Sequence, residues 1–168
     1  MNINNLKAMV FDFDMTLLVH PENYLTNRDE DEFLYQSYRQ CYDYVDSVVT
    51  AAMKQFVLMC DAAINMDLYM FSAASSNYVL KNKERVVHNR YDGIHWREFL
   101  ACYTPVAKPD TLGVLARLYG WKKEEICLVD DADEVLQRTR QKGFQTIDSK
   151  IINTGKCYIS ASGEVIYL

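Results

Sequence analysis

Short apolar runs alternate with longer stretches of helical spacing along this chain. Residues 7–13 (KAMVFDF) are apolar until they end in acids, which predicts a buried strand. His20, Pro21, Glu22 and Asn23 then mark a loop. Residues 22–92 contain neither glycine nor proline, so helices are permitted throughout. A helix over 28–42 would carry Phe33, Leu34, Tyr38, Cys41 and Tyr42. A second, over 44–64, would set Val45, Val48, Val49, Ala52, Phe56, Met59, Cys60 and Ala63 on one face. LYMF (68–71) predicts a second strand, and 77–89 a polar helix. A third strand over 99–103 ends before Pro105 and Pro109, and a short helix over 111–119 is closed by Gly120. ICLV (126–129) predicts a fourth strand, 133–142 a helix stopped by Gly143, and 144–147 a fifth strand. Residues 157–160 and 164–168, turning at Gly163, predict a C-terminal β-hairpin.

Strands alternating with helices indicate an α/β fold, a doubly wound and mostly parallel sheet, in one domain spanning 1–168. The chain has 168 residues, 49% of them hydrophobic, enough to bury a core of that size. Its formal net charge of −5 argues against a broad basic surface for nucleic acid. Its five cysteines, Cys41, Cys60, Cys102, Cys127 and Cys157, show no metal-ligand spacing and read as small buried hydrophobes in a reducing compartment. No run of about 18 apolar residues is present to span a membrane, and residues 1–7 are too polar for a signal peptide. The expected location is the cytoplasm.

In such sheets ligands bind beyond the carboxyl ends of the strands. Asp12 and Asp14, Ser72, and Asp130 with Asp131 all fall at those ends. Together they suit phosphoryl transfer. One carboxylate can attack phosphorus, and a second, two residues on, can protonate the leaving oxygen and later take a proton from water. Two carboxylates repel a phosphate dianion, so a cation is required, and Mg²⁺ takes oxygen ligands. Asp131, with Asp130 beside it, would complete that metal site. Lys108 could neutralise the remaining charge while the Ser72 hydroxyl donates to a phosphoryl oxygen. Ser75 and Ser76 compete with Ser72 for that role. Taken singly, these residues have plainer explanations: a solvated strand end for Asp12 and Asp14, a helix N-terminus for Asp130 and Asp131, a surface amine for Lys108.

The stretch DFDMT, residues 12–16, resembles motif I of the haloacid dehalogenase (HAD) superfamily, DxDx[TV] after a hydrophobic strand. Ser72 after LYMF is similar to motif II, Lys108 in AKPD to motif III, and Asp130-Asp131 after ICLV to motif IV. These motifs frame residues 8–147, and their order is the family's. The resemblance implies a HAD-like Rossmannoid fold and a phosphatase with Asp12 as nucleophile, Asp14 as general acid and base, and Ser72 and Lys108 as phosphate contacts. It implies Mg²⁺ held by the Asp12 carboxylate, the Asp14 backbone carbonyl and Asp131, with Asp130 as neighbour. The family often carries Asp or Asn four residues after the metal-binding acid of motif IV. Val135 stands there in this chain, leaving Asp133, Glu134 or a water to fill the gap.

The roughly thirty residues between Asp14 and Tyr44 fall short of the 50 or so an independent domain needs. Residues 20–43 are therefore expected to form a small helical flap, as in small-cap (C0-like) relatives. The active site would then be open to a small phosphorylated molecule or a phosphoprotein. Tyr24, Tyr35, Tyr38, Tyr42 and Tyr44 suit either an aromatic lid or a helix packed on the core or on a second copy in a homodimer. His20, His88 and His95 have no partner spacing and read as structural. Motif order argues against a receiver domain, whose acid pair precedes a lone mid-chain phosphoacceptor. A catalytically silent HAD-fold binding protein and a phosphotransferase are the alternatives that keep the fold.

Overall fold

A computed structural model of the chain describes residues 1–21, 44, 47–74, 77–102 and 104–168. Apart from His20 and Pro21, the expected flap lies outside the described residues. So do the helix over 28–42, Cys41, four of the five tyrosines named above, and Ser75 and Ser76.

Five strands, β1 (Ala8–Phe11), β2 (Asp67–Ala73), β3 (Trp96–Cys102), β4 (Ile126–Asp130) and β5 (Gln145–Asp148), form one parallel sheet in the order β3-β2-β1-β4-β5. β1 is central and buried on both faces, which explains its unbroken apolar run. Its side chains alternate between two cores. Met9 and Phe11 join Met70 and Val129 against Phe56 and Val57 of α1 (Ala51–Asp61), Val86 and Val87 of α2 (Asn77–Arg90), and Ile152 of α5 (Ser149–Asn153). Ala8 and Val10 join Phe71 and Leu128 against Leu112 and Leu115 of α3 (Lys108–Tyr119) and Val135 of α4 (Asp133–Gln141). Strands β6 (Cys157–Ile159) and β7 (Val165–Tyr167) pair antiparallel as the expected hairpin and cover one end of the first core. The four cysteines among the described residues are free and buried, as their spacing suggested. No described helix is long and apolar enough to cross a membrane.

The helix expected over 44–64 begins only at Ala51, where the Thr50 hydroxyl caps it by accepting from the Met53 amide at 3.0 Å. Just upstream, Val48 exchanges two 2.9 Å backbone bonds with Val19, and Tyr44 has a positive φ of 53°. The β-branched run Val48-Val49-Thr50 favours that extended pairing over helix. Helix α3 starts at Lys108 and not at 111, because Pro109 falls in its first turn, where the missing amide has no helical partner to lose. Gly120 closes it in the left-handed region at φ 67°. The short α5 had no counterpart in the sequence reading; Asp148 starts it by accepting from the Lys150 amide at 2.9 Å.

Candidate active site

The strand order reverses between β1 and β4, since β2 and β3 lie on one side of β1 while β4 and β5 lie on the other. The crevice outside that switch point is where doubly wound sheets bind ligands. Asp12 follows β1 directly, and its amide donates to the Val129 carbonyl at 2.8 Å, prolonging the pairing into the crevice. Asp130 ends β4 and Asp131 follows it. Carboxylate oxygens of Asp12, Asp130 and Asp131 lie within 4.8 Å of one another.

Lys108 meets them from the first turn of α3. Its Nζ donates to Asp12 Oδ1 at 2.5 Å and to Asp130 Oδ2 at 2.6 Å, and the residue is almost fully buried. A lysine at a helix N-terminus opposes the dipole, so these carboxylates are what hold it there. Burial pulls the Lys108 ammonium toward losing its proton, yet Asp12 and Asp130 prevail and hold its pKa above the ordinary value. Burial pushes the Asp12 carboxyl up to about 7 against the pull of Lys108, and Asp130 and Asp14 add to the rise. Asp131 is pushed up to about 6, by burial first and by Asp130 second.

Asp14 and Ser72 form the other half of the site. Met15 turns the chain with a positive φ of 59°, and the turn lets the Leu18 amide reach the Phe13 carbonyl at 3.1 Å. That conformation is unfavourable for a side-chain-bearing residue and persists where its surroundings hold it. Asn153 of α5 supplies the hold. Its amide donates to the carbonyls of Thr16 at 3.1 Å and Met15 at 3.4 Å, while its own oxygen accepts from Thr50 at 2.7 Å. The buried Thr16 hydroxyl donates to Ser149 at 3.0 Å. Asp14 is thereby presented beside Ser72, which is buried in β2.

No family model matches the sequence, and no curated protein matches it. Solved structures do. A haloacid dehalogenase-like hydrolase of Streptococcus pneumoniae superposes with a TM-score of 0.63 at 12% identity, over 86% of this chain and 84% of that one. A predicted phosphoglycolate phosphatase of Haemophilus somnus gives 0.61 at 14% identity, over 86% and 85%. A HAD family enzyme of Bacteroides thetaiotaomicron, in complex with magnesium and inorganic phosphate, gives 0.54 at 12% identity, over 85% and 93%. The chain has the haloacid dehalogenase fold.

Within that fold the structure adds to the sequence reading at three places. Val135 is buried in the second core, while Asp133 and Glu134 point away to exposed partners, Lys150 at 3.0 Å and Arg138 at 2.7 Å. Neither acid is among the three carboxylates that converge. His20, read as structural, is buried with Nε2 2.9 Å from Asp14 Oδ1 and Nδ1 2.6 Å from the Ser47 hydroxyl. Lys83 was not singled out at all, yet its Nζ donates to Asp14 Oδ2 at 2.7 Å and to Ser72 Oγ at 2.6 Å. One signal could have found it: Lys83 lies in the apolar stripe Val79, Lys83, Val86 and Val87 of a helix read as polar.

The Asp14 carboxylate, engaged by Lys83 and His20, is not one of the three that converge. The donor set suits Mg²⁺. Three carboxylates are hard oxygen ligands at mutual distances that one small cation can span, and Lys108, the one ammonium bonded to them among the described residues, does not neutralise them. Asp130 has both oxygens committed, to Lys108 and to the Ala132 amide at 2.9 Å.

Proposed function

We propose that this protein is a magnesium-dependent phosphomonoester hydrolase working through an aspartyl-phosphate on Asp12. The observation that carries the reading is the grip of Lys108 on Asp12 and Asp130, with Asp131 alongside, at the switch point of a HAD-type sheet. Asp12 and Asp131 would hold Mg²⁺ with the Asp14 carbonyl, and the committed oxygens of Asp130 make it their neighbour. When bound, the ion supplies positive charge against the phosphoryl oxygens and keeps Asp12 ionised.

The remaining chemistry belongs to the chain. An Asp12 carboxylate oxygen bonds to phosphorus as the bond to the leaving oxygen breaks, and Asp14 gives that oxygen its proton. Water then attacks phosphorus, Asp14 takes its proton, and the Asp12–phosphorus bond breaks to release inorganic phosphate. Lys108 and the Ser72 hydroxyl contact the phosphoryl oxygens throughout. The substrate is a phosphomonoester of a small molecule or of a protein. The phosphate complex of the Bacteroides thetaiotaomicron enzyme supports a phosphoryl ligand on this fold.

Hydrolysis of p-nitrophenyl phosphate with and without Mg²⁺, beside an Asp12→Asn variant, tests the proposal. Turnover that needs Mg²⁺ and disappears in the variant is the expected result. Failure of the wild-type protein both to turn over and to bind beryllofluoride with Mg²⁺ would refute it.

A further inference from the structure

Lys83 occupies a core-facing position of α2 and is fully buried, on the stripe that also carries Val79, Val86 and Val87. An ammonium in such a place needs acceptors, because desolvation otherwise disfavours it. Its Nζ reaches Asp14 Oδ2 at 2.7 Å, Ser72 Oγ at 2.6 Å and the Ala73 carbonyl at 3.3 Å, and lies 5.0 Å from the centre of the Phe13 ring. Packing alone gives no reason to keep a charge here, since well-packed apolar side chains usually match or better a buried ion pair. Among the described residues its two shortest contacts fall on Asp14 and Ser72, the groups that the phosphatase reading uses as acid and as phosphate contact.

We infer that Lys83 is a positioning residue for phosphoryl transfer, aiming the Ser72 hydroxyl at the phosphoryl oxygens and fixing the Asp14 carboxylate toward the leaving oxygen. This rests on the phosphatase reading. Ser72 Oγ accepts from Lys83 and so keeps its own proton to donate elsewhere. In the structure that proton has a long contact, 3.4 Å, with the Ala73 carbonyl, which a phosphoryl oxygen can replace. On Asp14, Lys83 holds Oδ2 while His20 holds Oδ1, and His20 is itself tied to Ser47. The carboxylate cannot turn without breaking both contacts. Lys108 serves the nucleophile side of the site and Lys83 the leaving-group side.

The test compares two substrates in the Mg²⁺-loaded full-length protein. p-Nitrophenyl phosphate has a leaving group that needs little protonation, whereas glycerol 2-phosphate depends on the acid. Lys83→Met should lower kcat on the alkyl ester about a hundredfold and on the aryl ester about tenfold or less, a general acid being worth roughly 10²–10⁴. Because Lys83→Met alone strands a partly buried carboxylate, Asp14→Asn/Lys83→Met is measured against Asp14→Asn, with thermal melts on each. In that background the lysine's loss should change kcat on the alkyl ester less than about threefold. It should also weaken inhibition by inorganic phosphate at least about fivefold, through Ser72. Equal losses on both esters, unchanged phosphate inhibition, or a double variant that does not fold would assign Lys83 to the fold alone and overturn the inference. Wild-type protein inactive on both esters would instead remove the phosphatase reading beneath it.

Discussion

Removing the Lys108 ammonium should leave the Asp12 and Asp130 carboxylates buried with no cation between them. Lys108→Met keeps the volume and the aliphatic stem but deletes contacts of 2.5 and 2.6 Å at a residue only 2% exposed. Breaking a buried pair on one side costs about 3–5 kcal/mol, because the orphaned charge stays desolvated. For a chain of this length that corresponds to a fall in Tm of roughly 6–20 °C. The acids can escape part of the cost by taking up a proton, which makes the loss depend on pH. Asp12 already has a folded-state pKa raised to about 7, above the ordinary 3.8, and Lys108 is the largest influence lowering it. A group raised on folding carries an extra proton in the native state between its two pKa values, so its contribution to stability falls as pH rises through that window. Without Lys108 the window extends to higher pH. Urea unfolding of metal-free protein should therefore show a larger deficit for the variant at pH 8 than at pH 6. Saturating Mg²⁺ should restore more stability to the variant than it adds to wild type, since the ion replaces the missing charge. A deficit under about 1 kcal/mol at pH 8, or equal gains from Mg²⁺, would refute the account of the site.

Mg²⁺ binding near pH 6.5 should release about one proton from the raised carboxyls of Asp12 and Asp131, and almost none at pH 9. Calorimetry in two buffers of different ionisation enthalpy counts it, and zero release at pH 6.5 would take Asp12 out of the metal site. Asp133→Asn and Glu134→Gln should leave Mg²⁺ affinity within about threefold, because both acids face exposed partners, whereas losing a group that hydrogen-bonds a metal ligand typically costs about 10–100-fold. A tenfold loss in either would contradict that. Asn153→Ala should cost about 1–3 kcal/mol by orphaning the Thr16 carbonyl and Thr50 hydroxyl, and should lower kcat by slackening the turn that presents Asp14. Normal kcat in a destabilised variant would separate that turn from the chemistry.

How far the site could be read from the sequence depended on whether its parts obey local rules. β1 and β4 were legible because strands buried on both faces are continuous apolar runs, and Asp12 and Asp130 stand where those runs stop. Lys108 was legible as a residue but not as the opening of a helix, since Pro109 reads as a breaker until its first-turn position is known. The contact between His20 and Asp14 depends on the chain doubling back after Met15 in a left-handed conformation that no glycine announces. The support from Asn153 depends on α5 packing beneath that turn from far along the chain. Lys83 was hidden for another reason. Charge on a helix usually marks its solvent face, and here the charge sits on the core face because its partners come from β2 and the β1 loop.

The charge arrangement explains how an acidic chain could handle a phosphate dianion. Four carboxylates, those of Asp12, Asp14, Asp130 and Asp131, gather at one end of the sheet, and Lys83 and Lys108 are the ammonium groups bonded among them. Among the described residues, these four acids, when ionised, outnumber the two ammonium groups by two charges, the charge of one divalent cation. Burial first, and the neighbouring carboxylates after it, raise the carboxyls of Asp12 and Asp131, so protons are a charge these acids can recruit when no metal ion is bound. The lysines are not interchangeable in this balance. Lys108 lies between Asp12 and Asp130 beside the converging oxygens, so on the proposed reading it would share Asp12 with the cation. Lys83 lies with Asp14 and Ser72, where Asp14 is not one of the converging acids, so its charge is committed whether or not metal is present. On the proposed mechanism, metal binding would thus reset Asp12 while leaving Asp14 and Ser72 in place, a division that phosphoryl transfer through Asp12 and proton transfer through Asp14 would both require.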